Sequence, residues 1–295
     1  MQDRKISKIF QQVDSLPSLP VTVSRVLSVT ADPESSAKDL VNAILPDQAM
    51  CATILKIANS AFFGVPRKIA TMDKAVTMLG FNEIYNIVLG KAVFSSFQKI
   101  RWENKKIKTH FWNHSFTCGL AAKILAEDMT CSPSELFIAG LLHDIGQLVF
   151  FITIPGEYLP VMELQGTDHL KCSQMEKATF GVDHGQVGFH LLSRWLFPDR
   201  LLTAVGFHHH PEECTSHTLY AAIVQISDAL SLLAYVDDKH KEAPLLSQLT
   251  ALLPDGKKLW QEHNLDINEN QLQEWMKSLQ ISLKKDTEIL DILTH

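Results

Sequence analysis

The sequence predicts an all-α protein with two lobes. Apolar residues recur mostly at the three-to-four spacing of a helix face, whereas runs in which β-branched and polar residues alternate are scarce. Capping residues, glycines and prolines divide these periodic segments into short helices. With 295 residues, of which 46% are apolar, the chain can bury a large core.

The first half divides into about five helices. Pro17 and Pro20 interrupt the chain, and a helix over 21–30 then begins. Further helices are predicted from an N-cap at Ser35 or Ser36 to residue 45, from an N-cap at Asp47 to residue 61, over 73–79 and over 82–97. This half contains almost no histidine, which favours a structural or regulatory role.

The second half carries every internal histidine cluster. It follows the polar run 101–106, and its helices are predicted near 108–128, 134–153, 183–196, 199–209 and 216–235. An amphipathic helix with Leu272, Trp275 and Leu279 on one face follows a polar stretch that begins after Asp237. We therefore predict lobes over 1–100 and 101–237 and a helical extension over 238–295.

Charge and cysteine content exclude several classes of protein. Lysine and arginine number 27 against 33 acidic residues, a net charge of −6 without a basic block, so we expect no nucleic-acid partner. The apolar stretch 136–154 contains His143, Asp144 and Gln147, so we expect no membrane span. Five cysteines without a C-x-x-C pair predict reduced thiols in a cytoplasmic protein.

The dipeptide His143-Asp144 lies in a segment that is apolar on all sides. A helix of this kind is buried, so both side chains need partners there. A metal ion can satisfy an imidazole and a carboxylate together, whereas a hydrogen-bonded structural pair is the alternative. The dipeptide alone leaves both interpretations open.

Five further residues lie on apolar helix faces and favour the metal interpretation. His114 shares its face with Cys118, and Asp228 lies among apolar residues where a carboxylate has no other evident use. Adjacent histidines near a helix end can serve two ions. The predicted ligands of Fe, Mn or Zn, in one or two ions, are His114, His143, Asp144, His184, His208, His209 and Asp228.

The order of these residues resembles the metal-binding signature of the HD superfamily of metal-dependent phosphohydrolases. More closely, the motifs resemble the HDOD family, the HD-related output domains, over roughly residues 7–235. The motifs that carry this resemblance are 16–20 (LPSLP), 58–60 (ANS), 79–80 (LG), 112–115 (WNHS), 139–146 (AGLLHDIG) and 208–211 (HHHP).

The resemblance implies a bacterial all-α signalling module with a protein partner. Many members of the family have lost the HD ligands, but here every ligand position of the superfamily is filled, including the additional His184 and His209 of a binuclear site. Gln147 stands where the related HD-GYP phosphodiesterases carry lysine, and their Gly-Tyr-Pro signature is absent, which disfavours hydrolysis of cyclic di-GMP. His110, one turn before His114, and Gln147 are each either an additional ligand or an outer hydrogen-bond donor.

Three functions follow from the resemblance. The first is a signalling module with a structural or sensory metal centre and no assigned catalytic residue. The second is a metal-dependent phosphohydrolase acting on a nucleotide or another phosphoester. The third is a di-iron oxygenase.

Overall fold

The computed structural model describes residues 2–97, 105–129, 131–165, 169–235, 243–263 and 265–294, and in these ranges the chain is helical without strands. The all-α prediction is therefore confirmed. The helices are α1 Gln2–Ser15, α2 Val21–Ala31, α3 Ala37–Ile44, α4 Gln48–Ala58, α5 Met72–Leu79, α6 Phe81–Phe97, α7 Lys105–Glu127, α8 Pro133–Leu142, α9 Ile145–Thr153, α10 Pro155–Gln165, α11 His169–Phe180, α12 His184–Arg194, α13 Asp199–Phe207, α14 Thr218–Leu233, α15 Leu245–Leu252, α16 Gly256–Glu262, α17 Glu269–Lys285 and α18 Thr287–Thr294.

The chain forms two compact units. The larger unit comprises Met1–Leu16 and His114–Gln280, and the smaller unit comprises Pro17–Asn113 and Ile281–His295. These units differ from the lobes predicted at residues 100 and 237, because α1 packs against α9, α11 and α12, whereas α18 packs against α4 and α6. The predicted boundaries themselves lie at or beside residues 98–104 and 236–242, outside the described residues.

Local sequence signals position the helices of the smaller unit. The Ser36 side chain accepts a hydrogen bond from the Asp39 backbone, the Asp39 carboxylate accepts one from the Ser36 backbone, and together they form a capping box. Asp47 caps α4, and Gly80, with φ of 93°, ends α5. The caps predicted at Ser36 and Asp47 are confirmed, although α4 ends at Ala58 rather than at residue 61.

The predicted helix over 134–153 is wrong in one respect, because it is two helices. Helix α8 ends at Leu142 and α9 starts at Ile145, with His143 and Asp144 between them. The His143 Nδ1 atom hydrogen-bonds to the Gly140 carbonyl at 2.7 Å, so a side chain satisfies this carbonyl at the helix end. The interruption places His143 and Asp144 at the junction between α8 and α9 rather than on the face of one helix.

Close helix packing surrounds this junction. A Cβ atom added to Gly146 would lie 1.9 Å from the His184 carbonyl oxygen, and one added to Gly140 would lie 2.8 Å from the Cys118 carbonyl oxygen. Only glycine therefore allows α9 to approach the start of α12, and α8 to approach α7, this closely.

Within the described ranges, one stretch, Pro133–Thr153, is long and apolar enough to cross a membrane by length and composition alone. Its apolar window is 83% buried inside the protein. Packing in the core of the larger unit accounts for this apolarity.

All five cysteines are free thiols.

Candidate metal centre

Five segments of the larger unit bring the predicted ligands together. Helix α7 carries His114, the junction of α8 and α9 carries His143 and Asp144, and α14 carries Asp228. His184 is the first residue of α12, where the Asp183 side chain caps the helix through the Gln186 backbone. His208 and His209 directly follow α13.

Three of these residues form one half of the cluster, which we call the Asp228 half. The Nε2 atoms of His114 and His143 are 3.2 Å apart. The Asp228 Oδ1 atom lies 3.2 Å from the His114 Nε2 atom and 3.7 Å from the His143 Nε2 atom. The three side chains are buried, and their ligand atoms form a group that can surround one ion.

Three histidines form the other half, which we call the three-histidine half. The His184 Nε2 atom lies 3.3 Å from the His208 Nε2 atom and 2.8 Å from the His209 Nε2 atom. These nitrogens form a second group of ligand atoms. At a metal–nitrogen distance of about 2.1 Å, neighbouring ligand atoms lie roughly 3.0–3.4 Å apart. The distances within both groups, 2.8–3.7 Å, are close to this spacing.

The Asp144 carboxylate lies between the two halves. Its Oδ2 atom is 3.6 Å from the His114 Nε2 atom and 3.4 Å from the His143 Nε2 atom. Its Oδ1 atom is 3.0 Å from the His184 Nε2 atom and 3.9 Å from the His208 Nε2 atom. Each oxygen therefore faces a different half.

Hydrogen bonds behind the rings orient the Nε2 atoms inward. The Nδ1 atoms of His143 and His208 donate to the backbone carbonyls of Gly140 and Val205, at 2.7 and 2.8 Å. Ser231 donates its hydroxyl hydrogen to the Asp228 carbonyl, so its oxygen accepts a hydrogen bond from the His114 Nδ1 atom at 3.0 Å. These contacts occupy the Nδ1 atoms and leave the Nε2 atoms of the three rings facing the cluster, where they can ligate a metal ion.

Burial and neighbouring charges keep most of these rings neutral. Burial lowers the pKa of His143, although Asp144 opposes the shift. Burial, together with His143 and His184, lowers the pKa of His208 to about 3, and burial with His208 lowers the pKa of His209. Neutral imidazole is the form that ligates a metal ion.

His184 differs from the other histidines. Burial opposes its protonation, but the carboxylates of Glu176 and Asp144 raise the pKa of His184 well above its usual value. A positive charge at this point, from a proton or from a metal ion, is therefore favoured.

The donor set is of a kind that fits divalent cations. In the Asp228 half, the Nε2 atoms of His114 and His143 lie close to each other and to the carboxylates of Asp144 and Asp228. Such a buried collection of acceptors is unfavourable unless a cation lies among them. Histidine nitrogen with carboxylate oxygen is a set that Fe, Mn and Zn accept.

The sequence did not identify two residues that orient ligands, Glu176 and Ser231. The Glu176 carboxylate contacts the His184 Nδ1 atom at 2.7 Å, and Ser231 lies behind His114 as described. One signal for Glu176 was available, because Cys172, Glu176 and Phe180 recur every four residues and so share a buried helix face.

The predicted roles of His110 and Gln147 are not tested by the groups of ligand atoms that define the two halves. His110 is exposed one turn before His114, and the groups of ligand atoms found among the described residues do not include it. Gln147 is buried in the first turn of α9, where its backbone N–H donates to the Asp144 carbonyl. Their roles as an additional ligand or an outer donor stay predictions.

A cavity of about 370 Å³ borders the three-histidine half. Its lining includes His209 together with the amides Gln174 and Gln225 and the charged residues Lys258 and Glu262. Lys258 and Glu262 lie on α16, which belongs to the C-terminal segment of the larger unit. The cavity therefore reaches the edge of the cluster at His209.

Solved structures share this fold. A protein from Shewanella amazonensis SB2B, named provisionally as a phosphohydrolase, has a TM-score of 0.75 and 23% identity, covering 97% of this chain and 98% of that one. An HDOD domain protein of unknown function from Geobacter sulfurreducens has a TM-score of 0.71 and 21% identity, covering 98% and 99%. A protein from Marinobacter aquaeolei VT8, named provisionally for signal transduction, has a TM-score of 0.70 and 19% identity, covering 100% and 66%.

Sequence comparison identifies the family. A curated protein of Treponema pallidum (strain Nichols), named only as uncharacterized, is 26% identical over 213 residues, which are 70% of this chain. The chain spans 41% of the length of that relative. The sequence profile of the HDOD domain matches residues 16–211, which is more than half of the chain. The chain therefore belongs to the HDOD domain family.

Proposed function

We propose that this chain is a regulatory HDOD module whose larger unit holds two divalent metal ions. The observation that carries the proposal is the position of Asp144, whose two oxygens face different groups of histidine nitrogens. One ion would be held by His114, His143, Asp228 and Asp144, and the other by His184, His208, His209 and Asp144. The ions would be iron, manganese or zinc, which accept this mixture of ligands.

A regulatory output through a protein partner is the second part of the proposal. Family membership and the likeness to a protein named for signal transduction support this role. The smaller unit exposes the large apolar side chains of Val21, Leu45 and Met78, which are available for contact with another protein. We propose that the metal centre is structural or sensory and that the module acts in the cytoplasm.

Metal analysis of protein purified without chelator tests the two-ion centre. We expect about two equivalents in the wild-type chain, about one in Asp228→Asn, and a larger loss in Asp144→Asn because Asp144 faces both halves. His190→Ala is the matched control, since His190 lies on α12 but pairs with Asp14 at the surface. Equal metal content in the wild type and in Asp144→Asn would contradict the proposal.

Phosphoester hydrolysis is a second candidate function, and the cavity beside His209 favours it. When bound, two divalent ions supply Lewis-acid stabilisation to a phosphoryl group. The Gln174 and Gln225 amides and the Lys258 ammonium can bind and orient a phosphoester, such as a nucleotide, in this cavity.

Turnover assays separate the two candidates. Metal-loaded protein is incubated with p-nitrophenyl phosphate and with a panel of nucleotides, and Asp144→Asn is the control. Turnover that the Asp144→Asn variant loses would establish the hydrolase and exclude a purely regulatory centre. Absence of turnover in protein with two bound ions would exclude hydrolysis of these substrates and favour the regulatory module.

A further inference from the structure

The carboxylate of Glu176 is fully buried in the larger unit and lies behind the cluster. Its Oε2 atom lies 2.7 Å from the His184 backbone nitrogen and 2.7 Å from the His184 Nδ1 atom. Its Oε1 atom accepts hydrogen bonds from the Tyr158 hydroxyl at 2.8 Å and from the Cys172 thiol at 3.3 Å. Two contacts thus fix His184, and two others fix Glu176 itself.

The neighbours of Glu176 act as hydrogen-bond donors. Burial raises the pKa of the Cys172 thiol to about 12, and burial together with Glu176 raises the pKa of Tyr158, so both keep their protons. Cys172, Glu176 and His184 also lie close enough to surround an ion. The Cys172 thiol and the His184 Nδ1 atom both hydrogen-bond to the Glu176 carboxylate, so we describe this group as a hydrogen-bonded support for His184.

The group behind the His184 ring is charged, whereas the groups behind the other rings are neutral. Backbone carbonyls lie behind His143 and His208, and the Ser231 hydroxyl lies behind His114. Behind His184 lies a carboxylate, which makes the imidazole a stronger ligand because it stabilises positive charge on the ring.

The two halves also differ in their own negative charge. The Asp228 half contains Asp228 and shares Asp144 with its neighbour, whereas the three-histidine half has only the shared carboxylate. Glu176 supplies the missing negative charge through the ring of His184. An ion in the three-histidine half therefore depends on a residue that does not contact it.

We propose that Glu176 is a positioning residue that sets the affinity of the three-histidine half for its ion. This inference rests on the proposed two-ion centre and deepens it, because Glu176 then decides whether the centre holds one ion or two. Removal of a group of this kind behind a metal-bound histidine typically weakens metal binding about 10- to 100-fold.

Manganese binding to the full chain tests the proposal. Metal-free protein is titrated with Mn²⁺ by equilibrium dialysis, and the loaded protein is characterised by electron paramagnetic resonance. We expect Glu176→Gln to bind one of its two ions about 10- to 100-fold more weakly, with the other affinity unchanged. The spectrum should change from that of an exchange-coupled pair to that of an isolated Mn²⁺ ion.

Two variants test whether the effect belongs to the contact with His184. Tyr158→Phe removes a donor but keeps the carboxylate and both contacts with His184, so we expect the same ion to bind more weakly than in the wild type, but by a smaller factor than in Glu176→Gln. Glu176→Asp keeps the charge but withdraws the carboxylate by one methylene. We expect this variant to weaken the same ion by less than Glu176→Gln does, so it tests the contact even if the glutamine variant fails to fold.

The outcomes separate this inference from the two-ion centre. A wild-type chain that binds fewer than two ions contradicts the centre and the inference together. A wild-type chain that binds two ions, with unchanged affinities in a folded Glu176→Gln or Glu176→Asp variant, contradicts the role of Glu176 alone. A Tyr158→Phe variant that loses the ion as strongly as Glu176→Gln also overturns it, since loss of packing would then explain both.

Discussion

The two units of the molecule bury different chemistry. In the smaller unit, the core is formed by side chains such as Ile84 and Leu89, and its buried polar groups include Asn86 and Lys91. The Lys91 ammonium donates to the Leu293 carbonyl at 3.2 Å, so even this buried cation has an oxygen acceptor. In the larger unit, imidazoles and carboxylates are concentrated at one point of the core.

This difference indicates where each unit obtains its stability. Apolar burial contributes about 25 cal/mol per Å², and it requires no ligand. Concentrated acceptors lower the stability of a core unless a cation compensates them. We therefore expect the stability of the larger unit to depend on metal, and that of the smaller unit to depend on packing and helix caps.

Removal of the metal should give the largest effect and should distinguish the two units. At a free-ion concentration about a thousand times Kd, each bound ion stabilises the folded state by about 4 kcal/mol. Chelation should therefore accelerate amide hydrogen exchange in α8, α9, α12 and α13 and leave α3–α6 unchanged. Hydrogen exchange with mass spectrometry measures both sets of helices in one sample.

Two results would contradict the expected difference in stability between the two units. Equal loss of protection in α3–α6 would mean that the metal stabilises the whole chain. Unchanged protection in α8 and α9, in protein shown to have lost its ions, would mean that the cluster is stable without a cation. The chelator added to Asp144→Asn is the control, because this variant has little metal to lose.

A cavity in the smaller unit should give an intermediate effect. Ile84 is fully buried in α6, and Ile84→Ala removes three carbon atoms from a packed core, so we expect a loss of about 3 kcal/mol in the free energy of unfolding. Metal content should stay at the wild-type value. Denaturant titration and metal analysis measure the two quantities.

Ile84→Val is the graded control, with an expected loss of about 1 kcal/mol. Loss of metal in Ile84→Ala while the larger unit remains folded would show that the packing of the smaller unit affects the cluster. The separation between a packing-dependent unit and a metal-dependent unit would then fail.

A helix cap should give the smallest effect. Ser36→Ala removes the side-chain acceptor at the start of α3 and half of the capping box with Asp39, at a cost of about 1 kcal/mol. Ser35→Ala is the matched control, since Ser35 precedes the cap, and its effect should be close to zero. Equal effects of the two changes in denaturant titration would show that the capping box contributes nothing.

Local signals in the sequence predicted much of the fold. Ser36, Asp47 and Gly80 mark helix ends through their own side chains or backbone conformations, so residues nearby suffice to locate them. The division into units depends instead on where α1 and α18 pack, which is a tertiary contact. The break at His143 depends on a side-chain hydrogen bond that hydrophobic periodicity does not record.

Local signals in the sequence also predicted part of the candidate site. His114 and Asp228 stood out because a polar residue on an apolar helix face needs a partner, and the structure brings both into one group. Their role as ligands stays a prediction. Glu176 and Ser231 act from behind the rings, and their placement depends on how α11 and α14 pack, which the spacing of histidines does not reveal.

The five segments that build the cluster have a consequence for how the protein matures. The first proposed ligand, His114, and the last, Asp228, are separated by 114 positions in the chain. Contacts across such a separation form late, because a long loop must close before they stabilise anything. A nascent chain cannot assemble the Asp228 half before residue 228 has been synthesised, so capture of a metal ion there would report that the larger unit has been synthesised at least as far as α14.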